Sequence, residues 1–331
     1  MYQPEAYGIA LVFMIGSMLC WGSWANTMKL TPAWPFQLFY WDYLIGIVAA
    51  SLLWGITLGS AGGGELSFFH RIANADSTHI LFALLGGAVF NVANLLLVAA
   101  IEVAGLAVAF PIGIGLALVV GVLLNYIIAP KGNALLLFGG VLLVVLAIVV
   151  DAMAYRRREP TKKALSARGI QISIACGVLM GVFYPLVARA ISGERSLGPY
   201  SVAFFFALGT AACAAPANYF LMRKPLTGGK PVKLADYLKG RASWHWWGVV
   251  GGLIWCTGAV LNFTASHAHI IGPAVSYAIG QGATMISAIW GVFVWKEFAE
   301  APPSARTLVP LMFGLFLVGL GMVATAPVLT R

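Results

Sequence analysis

The chain has 331 residues, of which 60% are hydrophobic and 9% charged, and its mean hydropathy is +0.89. A soluble protein of this length could not cover so apolar a core with polar surface, so the composition excludes the soluble classes and predicts an integral membrane protein. The net charge of +9 does not indicate a nucleic-acid partner, because the basic segments carry neither a recognisable nucleic-acid-binding fold nor interleaved aromatic residues.

Ten apolar stretches are long enough to cross a bilayer, for which about 20 apolar residues are needed. We predict an all-α integral membrane protein whose helical spans lie at about 7–28, 36–58, 79–100, 103–128, 133–153, 169–190, 200–222, 245–266, 270–295 and 307–327. Each contains Gly, Pro, Trp or Asn, which suits helices packed around a polar cavity better than helices surrounded by lipid. The lipid bilayer is therefore an expected partner. The four cysteines all lie inside spans, so we expect no disulfide, no metal site and no cofactor.

The first span ends in an aromatic and polar run, CWGSWANT at residues 20–27. At helical spacing Trp21 and Trp24 share a face, and Asn26 lies near an adjacent one. Aromatic faces beside a carboxamide are what a site for a small, neutral, hydrogen-bonding solute requires, so we predict that these three residues bind the solute. The alternative is an aromatic belt at the membrane surface, which the position of the run also fits.

The second span carries Asp42 in the run FYWDY at residues 39–43, and no other carboxylate lies clearly inside a span. Asp42 is about six residues, or roughly 9 Å of helix, beyond the start of the span. An acid inside a membrane is costly unless it is paired or functional, so we predict that Asp42 takes up and releases a coupling proton. Alternatively it is a structural acid, neutralised by the backbone N–H groups of its own helix or by Lys29.

The third span places two carboxamides, Asn91 and Asn94, on the same stripe as Gly87. Amides inside a membrane are costly unless they face a polar cavity or each other. We predict that both bind the solute. The alternative is that they join neighbouring helices by hydrogen bonds.

The sequence is internally repeated, because residues 84–128 match residues 249–295 at glycine and apolar positions. Each copy holds an odd number of spans, so the copies enter the membrane in opposite senses. We therefore predict two inverted five-helix repeats, residues 1–154 and 169–331, joined by a basic linker at 155–168. In transporters built this way the solute site lies where the repeats meet.

The second copy offers a matching set of aromatic and polar residues. Trp255 and Asn262 share a face of the eighth span, and Tyr277 and Gln281 share a face of the ninth. Tyr184 of the sixth span occupies the place of the aromatic run in the first. We predict that all five contribute to the solute site.

Charge predicts the orientation of the spans. Of the 20 Lys and Arg residues, fifteen fall in the odd-numbered loops, and five fall in the even-numbered loops or at the C-terminus. Because cytoplasmic loops carry the excess of basic residues, we expect the odd-numbered loops in the cytoplasm and both termini outside, in the plasma (inner) membrane.

Five segments carry a family resemblance, in the same order along the chain: CWGSWANTMKL, FYWDYLIG, GGAVFNVANLL, AVAFPIGIGLALVVGVLLNYI and VKLADYLKGRASWHWW. With ten spans in two halves, they resemble the drug/metabolite transporter superfamily. Within it the sequence is most similar to the ureide permease family, which neighbours the glucose/ribose and rhamnose porters. The resemblance covers nearly the whole chain.

This resemblance implies proton-coupled uptake of a small polar solute. Plant ureide permeases take allantoin-like ureides and nucleobases such as uracil or xanthine, and the neighbouring families take sugars. The Trp-bearing end of the first span and Asp42-Tyr43 map onto the family pattern. The linker 155–168 departs from it, because plant members have a long central segment with a Walker A-like stretch and this chain has none. The departure favours a bacterial relative without nucleotide regulation.

We therefore predict a secondary active transporter of a ureide, nucleobase or sugar, coupled to protons, working as a monomer or homodimer. The alternative within the superfamily is a drug or metabolite exporter, although the first span lacks the acid on which the small exporters rely. A membrane scaffold or sensor would not explain polar stripes at matched places in both copies. We expect no enzyme, since neither His-Glu-x-x-His nor Gly-x-Ser-x-Gly occurs.

Overall fold

The computed structural model describes residues 1–158, 167–224, 231–268 and 270–329. Within these residues ten helices are long and apolar enough to cross a membrane. We number them spans 1 to 10: Tyr7–Lys29, Phe36–Ile56, Ser77–Ile101, Val108–Ile128, Ala134–Arg158, Ala167–Ala190, Pro199–Arg223, Ala242–His267, Pro273–Val294 and Pro303–Thr325. Each predicted span has its helix, which confirms the all-α membrane fold.

The boundaries differ from the prediction at the centre of the chain. Span 5 continues to Arg158 and span 6 begins at Ala167, so both ends of the predicted linker 155–168 are helical. Its remaining residues, 159–166, lie outside the described part of the chain. Short helices that the sequence did not predict lie in the loops, at Gly64–Leu66, Phe68–Asn74 and Leu234–Lys239. A further one, Pro303–Arg306, precedes the main helix of span 10 at Leu308–Thr325.

Two spans that the sequence predicts as continuous are interrupted. Span 1 consists of Tyr7–Ser23 and Asn26–Lys29, and its interruption is a tightened turn with i→i−3 hydrogen bonds. Span 9 consists of Pro273–Gly280 and Ala283–Ile289, followed by a π-helical turn at Trp290–Val294. The glycines on either side of Gln281 explain this break, because glycine destabilises a helix interior by about 1 kcal/mol relative to alanine.

The two halves turn at equivalent glycines. Gly105 alone separates the third and fourth helices, with φ +81° and ψ 158°. Gly272 precedes the ninth helix with φ +82° and ψ 166°. Only glycine adopts this region of φ and ψ without strain. The repeat seen in the sequence therefore extends to the backbone conformation of its tightest turn.

Helix packing follows the same repeat. Spans 2 and 8 approach so closely that a Cβ at Gly252 would lie 2.0 Å from the carbonyl oxygen of Tyr43. Spans 7 and 3 approach in the same way, because a Cβ at Gly87 would lie 2.0 Å from the carbonyl oxygen of Phe206. Glycines at these positions let the helix backbones touch, as is common in membrane bundles.

The remaining helix contacts also occur in equivalent pairs. Span 1 packs against spans 8 and 9 as span 6 packs against spans 3 and 4, while span 4 contacts span 9 and span 5 packs against span 10. When five is added to or subtracted from each span number, every pair in this set becomes another pair of the set or the same pair. This is the packing that two five-helix halves related by an internal two-fold would give.

Candidate functional site

A cavity of about 430 Å³ lies between the two halves, towards the side of the odd-numbered loops. Met28, Phe36, Ile101 and Phe110 line it near the helix ends on that side. Its aromatic lining is Trp21, Trp24, Phe36, Phe90, Phe110, Phe183 and Trp255. Its polar side chains are Asn94, Gln281, Thr284 and Ser287. No charged side chain is among its described lining residues, so the cavity suits a neutral solute.

Stacked rings form one wall of this cavity. The rings of Trp21 and Trp255 lie 6.0 Å apart with 22° between their planes, and Phe90 lies 4.4 Å from Trp255. The indole Nε1 of Trp21 donates to the carbonyl oxygen of Trp255 at 3.2 Å. These contacts join spans 1, 3 and 8 and fix the rings, so the wall is a flat, preformed surface.

Asn94 is the polar group best placed to hold a solute. It lines the cavity and is 8% exposed, and its Nδ2 is buried without a hydrogen-bond partner in the protein. A buried donor left unpaired costs about 1–3 kcal/mol. If the Asn94 side chain turns its Nδ2 towards the cavity, a solute carbonyl or hydroxyl oxygen that accepts from Nδ2 would remove this penalty.

The two helix interruptions coincide with the cavity. Trp24 lies at the break in span 1 and Gln281 at the break in span 9, and both line the cavity. The hydroxyl of Thr284 donates to the backbone carbonyl of Gln281 at 3.1 Å. Broken spans that meet between two repeats are typical of transporter solute sites.

The structure brings five of the ten predicted solute-binding residues into the cavity lining: Trp21, Trp24, Asn94, Trp255 and Gln281. It places Asn26 and Asn91 in hydrogen bonds with the protein. The indole of Trp295 donates to Asn26 Oδ1 at 2.6 Å, and the Tyr40 hydroxyl donates to Asn91 Oδ1 at 2.7 Å. Both carboxamides therefore join helices, which was the alternative reading of Asn91.

The other three predicted residues lie beyond the cavity, towards the even-numbered loops. The Tyr184 hydroxyl donates to Asn262 Oδ1. Asn262 Nδ2 donates to Ser17 Oγ at 3.2 Å and to the Ser276 carbonyl at 3.0 Å. Tyr184 and Tyr277 are fully buried, with ring centroids 5.0 Å apart. This layer seals the cavity on that side.

Sequence reasoning missed Phe90, Phe110, Phe183 and Ser287, which all line the cavity. A phenylalanine in an apolar helix is indistinguishable from core packing in the sequence. The repeat contained a signal, however, because Phe90 is equivalent to Trp255 and Phe110 to Tyr277. Projecting each aromatic residue of the second copy onto the first would have found both.

Asp42 lies outside the cavity and is 1% exposed. Its carboxylate accepts from the Trp34 indole at 3.1 Å and from the Tyr237 hydroxyl, and its Oδ1 lies 2.8 Å from His245 Nδ1. These partners belong to loop 1, loop 7 and the start of span 8. Lys29, the partner considered from the sequence, instead pairs with Glu297 at 2.5 Å.

Glu297 forms a second cluster on the side of the odd-numbered loops. Its carboxylate contacts Lys29, Arg158 at 3.1 Å and the Tyr155 hydroxyl at 2.8 Å. Burial raises the pKa of this carboxyl, but the hydrogen bonds from Lys29 and Tyr155 and the charge of Arg158 outweigh burial and hold the pKa below its usual value. The cluster ties the ends of spans 1 and 5 to loop 9.

The described residues contain no group of three His, Cys, Asp or Glu side chains that could hold a metal ion. The predicted absence of a cofactor stays a prediction. All four cysteines are free thiols.

Known proteins are similar to this chain in sequence and in fold. Residues 43–328 match the family model described as "Sugar transport protein". Ureide permease 1 of Arabidopsis thaliana is 23% identical over 97% of this chain and 98% of its own length. Ureide permease 2 of Arabidopsis thaliana is 23% identical over 96% of each chain. The predicted resemblance to ureide permeases is confirmed.

A probable ureide permease A3 of Vigna unguiculata is 34% identical over 41% of this chain and 38% of its own. One solved crystal structure aligns with a TM-score of 0.64 at 18% identity, covering 96% of this chain and 99% of its own. At that identity the likeness shows the fold alone.

Proposed function

The chain belongs to the sugar transport protein family, and from this premise we propose that it is a secondary active transporter of a small, neutral, flat organic solute. It is a multi-pass membrane protein whose relatives are permeases. The uncharged aromatic cavity with the unpaired Asn94 amide at its wall carries the proposal. A ureide or nucleobase fits this chemistry, since its ring can stack on Trp255 while its carbonyl oxygen accepts from Asn94.

The size of the cavity and its lack of charge narrow the class of solute further. A cavity of about 430 Å³ is at the small end of the range of ligand pockets. Because its described lining holds no ion-pair partner for a charged solute, a lipophilic cation or a zwitterion would enter without a counter-charge. This disfavours a cationic cargo for the drug or metabolite exporter that was the alternative.

A sugar is the second candidate. The family description favours it, and the hydroxyls of Thr284 and Ser287 could hydrogen-bond a sugar whose apolar face stacks on an indole. The cavity offers few polar groups for the many hydroxyls of a sugar, however. A flat heterocycle leaves fewer of its own polar groups unpaired.

Alternating access follows from the internal symmetry. We propose that residues 1–154 and 169–331 are inverted repeats that rock about the solute, joined by the linker at 155–168. With the odd-numbered loops in the cytoplasm and both termini outside the plasma (inner) membrane, the structure is the inward-open state.

We propose that Asp42 and His245 carry the coupling proton. The carboxylate is buried, whereas the His245 side chain is 26% exposed and contacts it at 2.8 Å. The imidazole therefore offers a path between water on the side of the odd-numbered loops and the carboxylate. Both groups join span 2 to span 8, which belong to different halves, so their protonation can influence how the halves fit together.

Uptake into proteoliposomes tests the function. Purified protein is given radiolabelled allantoin, uracil, a hexose and a lipophilic cation, with and without an imposed proton gradient. The proposal expects uptake of allantoin or uracil that the gradient drives uphill. Uptake of the hexose alone would select the second candidate, and uptake of the cation alone would contradict both.

A further inference from the structure

Tyr277 closes the cavity on the side of the even-numbered loops. Its ring lies so close to Gly121 of span 4 that a Cβ there would be 2.2 Å from the ring. Its single hydroxyl proton is shared between the backbone carbonyls of Ala117 and Met180, at 3.2 and 3.1 Å from the hydroxyl oxygen. Span 4 belongs to the other half, so the contacts of Tyr277 with Gly121 and Ala117 hold the two halves together on that side. Met180 of span 6 lies in the same half as Tyr277.

Phe110 is the equivalent of Tyr277 in the first copy. Tyr277 lies five residues after Gly272, and Phe110 lies five residues after Gly105, the two glycines with the same backbone conformation. Phe110, however, makes no such closure in this state, because it lines the open cavity. The equivalent of Gly121 is Ala288 in span 9, which stands at the same distance from Gly272 as Gly121 does from Gly105.

We infer that Phe110 closes the cavity on the side of the odd-numbered loops in the alternate state, by packing against Ala288 as Tyr277 now packs against Gly121. This rests on the proposed alternating access. In an inverted-repeat transporter each half adopts, in the second state, the arrangement that the other half has in the first.

The two closures are chemically unequal. Phe110 has no hydroxyl, so it cannot make the shared hydrogen bond of Tyr277. Ala288 carries a methyl group where Gly121 leaves room for the ring. Both differences weaken the closure by Phe110 relative to that by Tyr277. The empty protein therefore favours the state observed, with the cavity open to the odd-numbered loops. Solute binding must supply the free energy that separates this state from the alternate one.

Two cysteine reporters read the two states. Ser287→Cys reports the cavity seen here, which Ser287 lines. Val120→Cys, at the equivalent position of span 4, reports the alternate cavity, because Val120 now packs closely against span 6 at Gly181. Each is placed in a chain with its four native cysteines replaced by alanine, and labelled with a small polar maleimide in detergent.

Tyr277→Phe should lower the labelling rate of Ser287→Cys relative to that of Val120→Cys about fivefold. This is the factor expected for the loss of one net hydrogen bond. Phe110→Tyr combined with Ala288→Gly should shift the ratio in the same direction by strengthening the opposite closure. Tyr126→Phe makes the same chemical change in span 4, where Tyr126 packs on Phe138, and should leave the ratio unchanged.

A direct contact test complements the ratio. Phe110→Cys with Ala288→Cys should be joined by a short bifunctional maleimide, and more so when Tyr277→Phe is added. Phe110→Cys with Phe293→Cys, whose native side chain is exposed on the outside of the bundle, should not be joined. The inference is overturned if the first pair is not joined in protein that elutes as the wild type does, or if the double gate variant leaves the labelling ratio unchanged.

These readouts need no solute, so they separate the two proposals. If the reporters respond as expected and no panel solute is taken up, the gate stands and the proposed solute class fails. If allantoin or uracil is transported and the reporters do not respond, Phe110 is not the gate.

Discussion

At the scale of single residues, two asparagines in similar surroundings have different tasks. Asn94 lines the cavity and its buried Nδ2 has no hydrogen-bond partner in the protein, whereas Asn218 of span 7 donates its Nδ2 to the Gln37 carbonyl at 2.8 Å. The first is available to a solute, and the second holds two helices together.

This difference predicts opposite effects of one substitution. Asn94→Leu should weaken solute binding about tenfold or more, since a hydrogen bond to a buried donor is lost, and leave the thermal midpoint near that of the wild type. Asn218→Leu should lower the midpoint and leave affinity unchanged. Binding isotherms and thermal melts of both variants measure this. Equal loss of affinity in the two would contradict a direct role for Asn94.

Asp42 gives a second prediction at this scale. Asp42→Asn should abolish uphill accumulation, because the residue can no longer exchange a proton, while solute binding and counterflow remain measurable. Asp151→Asn, which alters another buried carboxylate, serves as the matched control and should retain accumulation. If the Asp42 variant still concentrates solute against its gradient, Asp42 is structural and the coupling residue lies elsewhere.

At the scale of elements, the hairpins at Gly105 and Gly272 set the fold of each half. Their φ values of +81° and +82° are strained for any residue with a Cβ, at about 1–3 kcal/mol each. Gly105→Ala and Gly272→Ala should each lower the thermal midpoint. Gly314→Ala, in a helix where a Cβ would meet nothing within 4 Å, should leave the midpoint unchanged or raise it. An unchanged thermal midpoint of Gly105→Ala would show that this turn relaxes to accommodate a Cβ.

The Glu297 cluster joins the ends of spans 1 and 5 to loop 9 and predicts that stability depends on pH. Because the folded-state pKa of Glu297 is held below its usual value of 4.5, its contribution to stability is present above that pH and lost as pH falls through the lowered pKa. Thermal melts from pH 7 downwards should therefore show a loss that Glu297→Gln lacks. Glu65→Gln, at an exposed residue, should melt as the wild type does at every pH.

The elements also show what the sequence could predict. Hydropathy located all ten spans, because span length is imposed by the bilayer. It did not predict which face of each helix meets the cavity. Asn91 and Asn94 share a stripe, yet one bonds Tyr40 and the other lines the cavity, since a neighbouring helix covers part of the stripe.

At the scale of the whole molecule, the distribution of basic residues predicts orientation. A reporter enzyme active only in the cytoplasm should be inactive when fused after Arg331 and active when inserted near Arg157. The physical reason is that basic loops are retained on the cytoplasmic side. Activity at Arg331 would reverse the orientation, and the state described here would then be open to the outside.

The central claim is that the solute binds in the uncharged aromatic cavity between the two halves. An experimental structure with the best-transported panel solute tests it most directly. The account predicts the solute ring against Trp21 or Trp255, with an acceptor atom within hydrogen-bond reach of Asn94 Nδ2. Density for the solute anywhere outside this cavity, with the cavity itself empty, would contradict it.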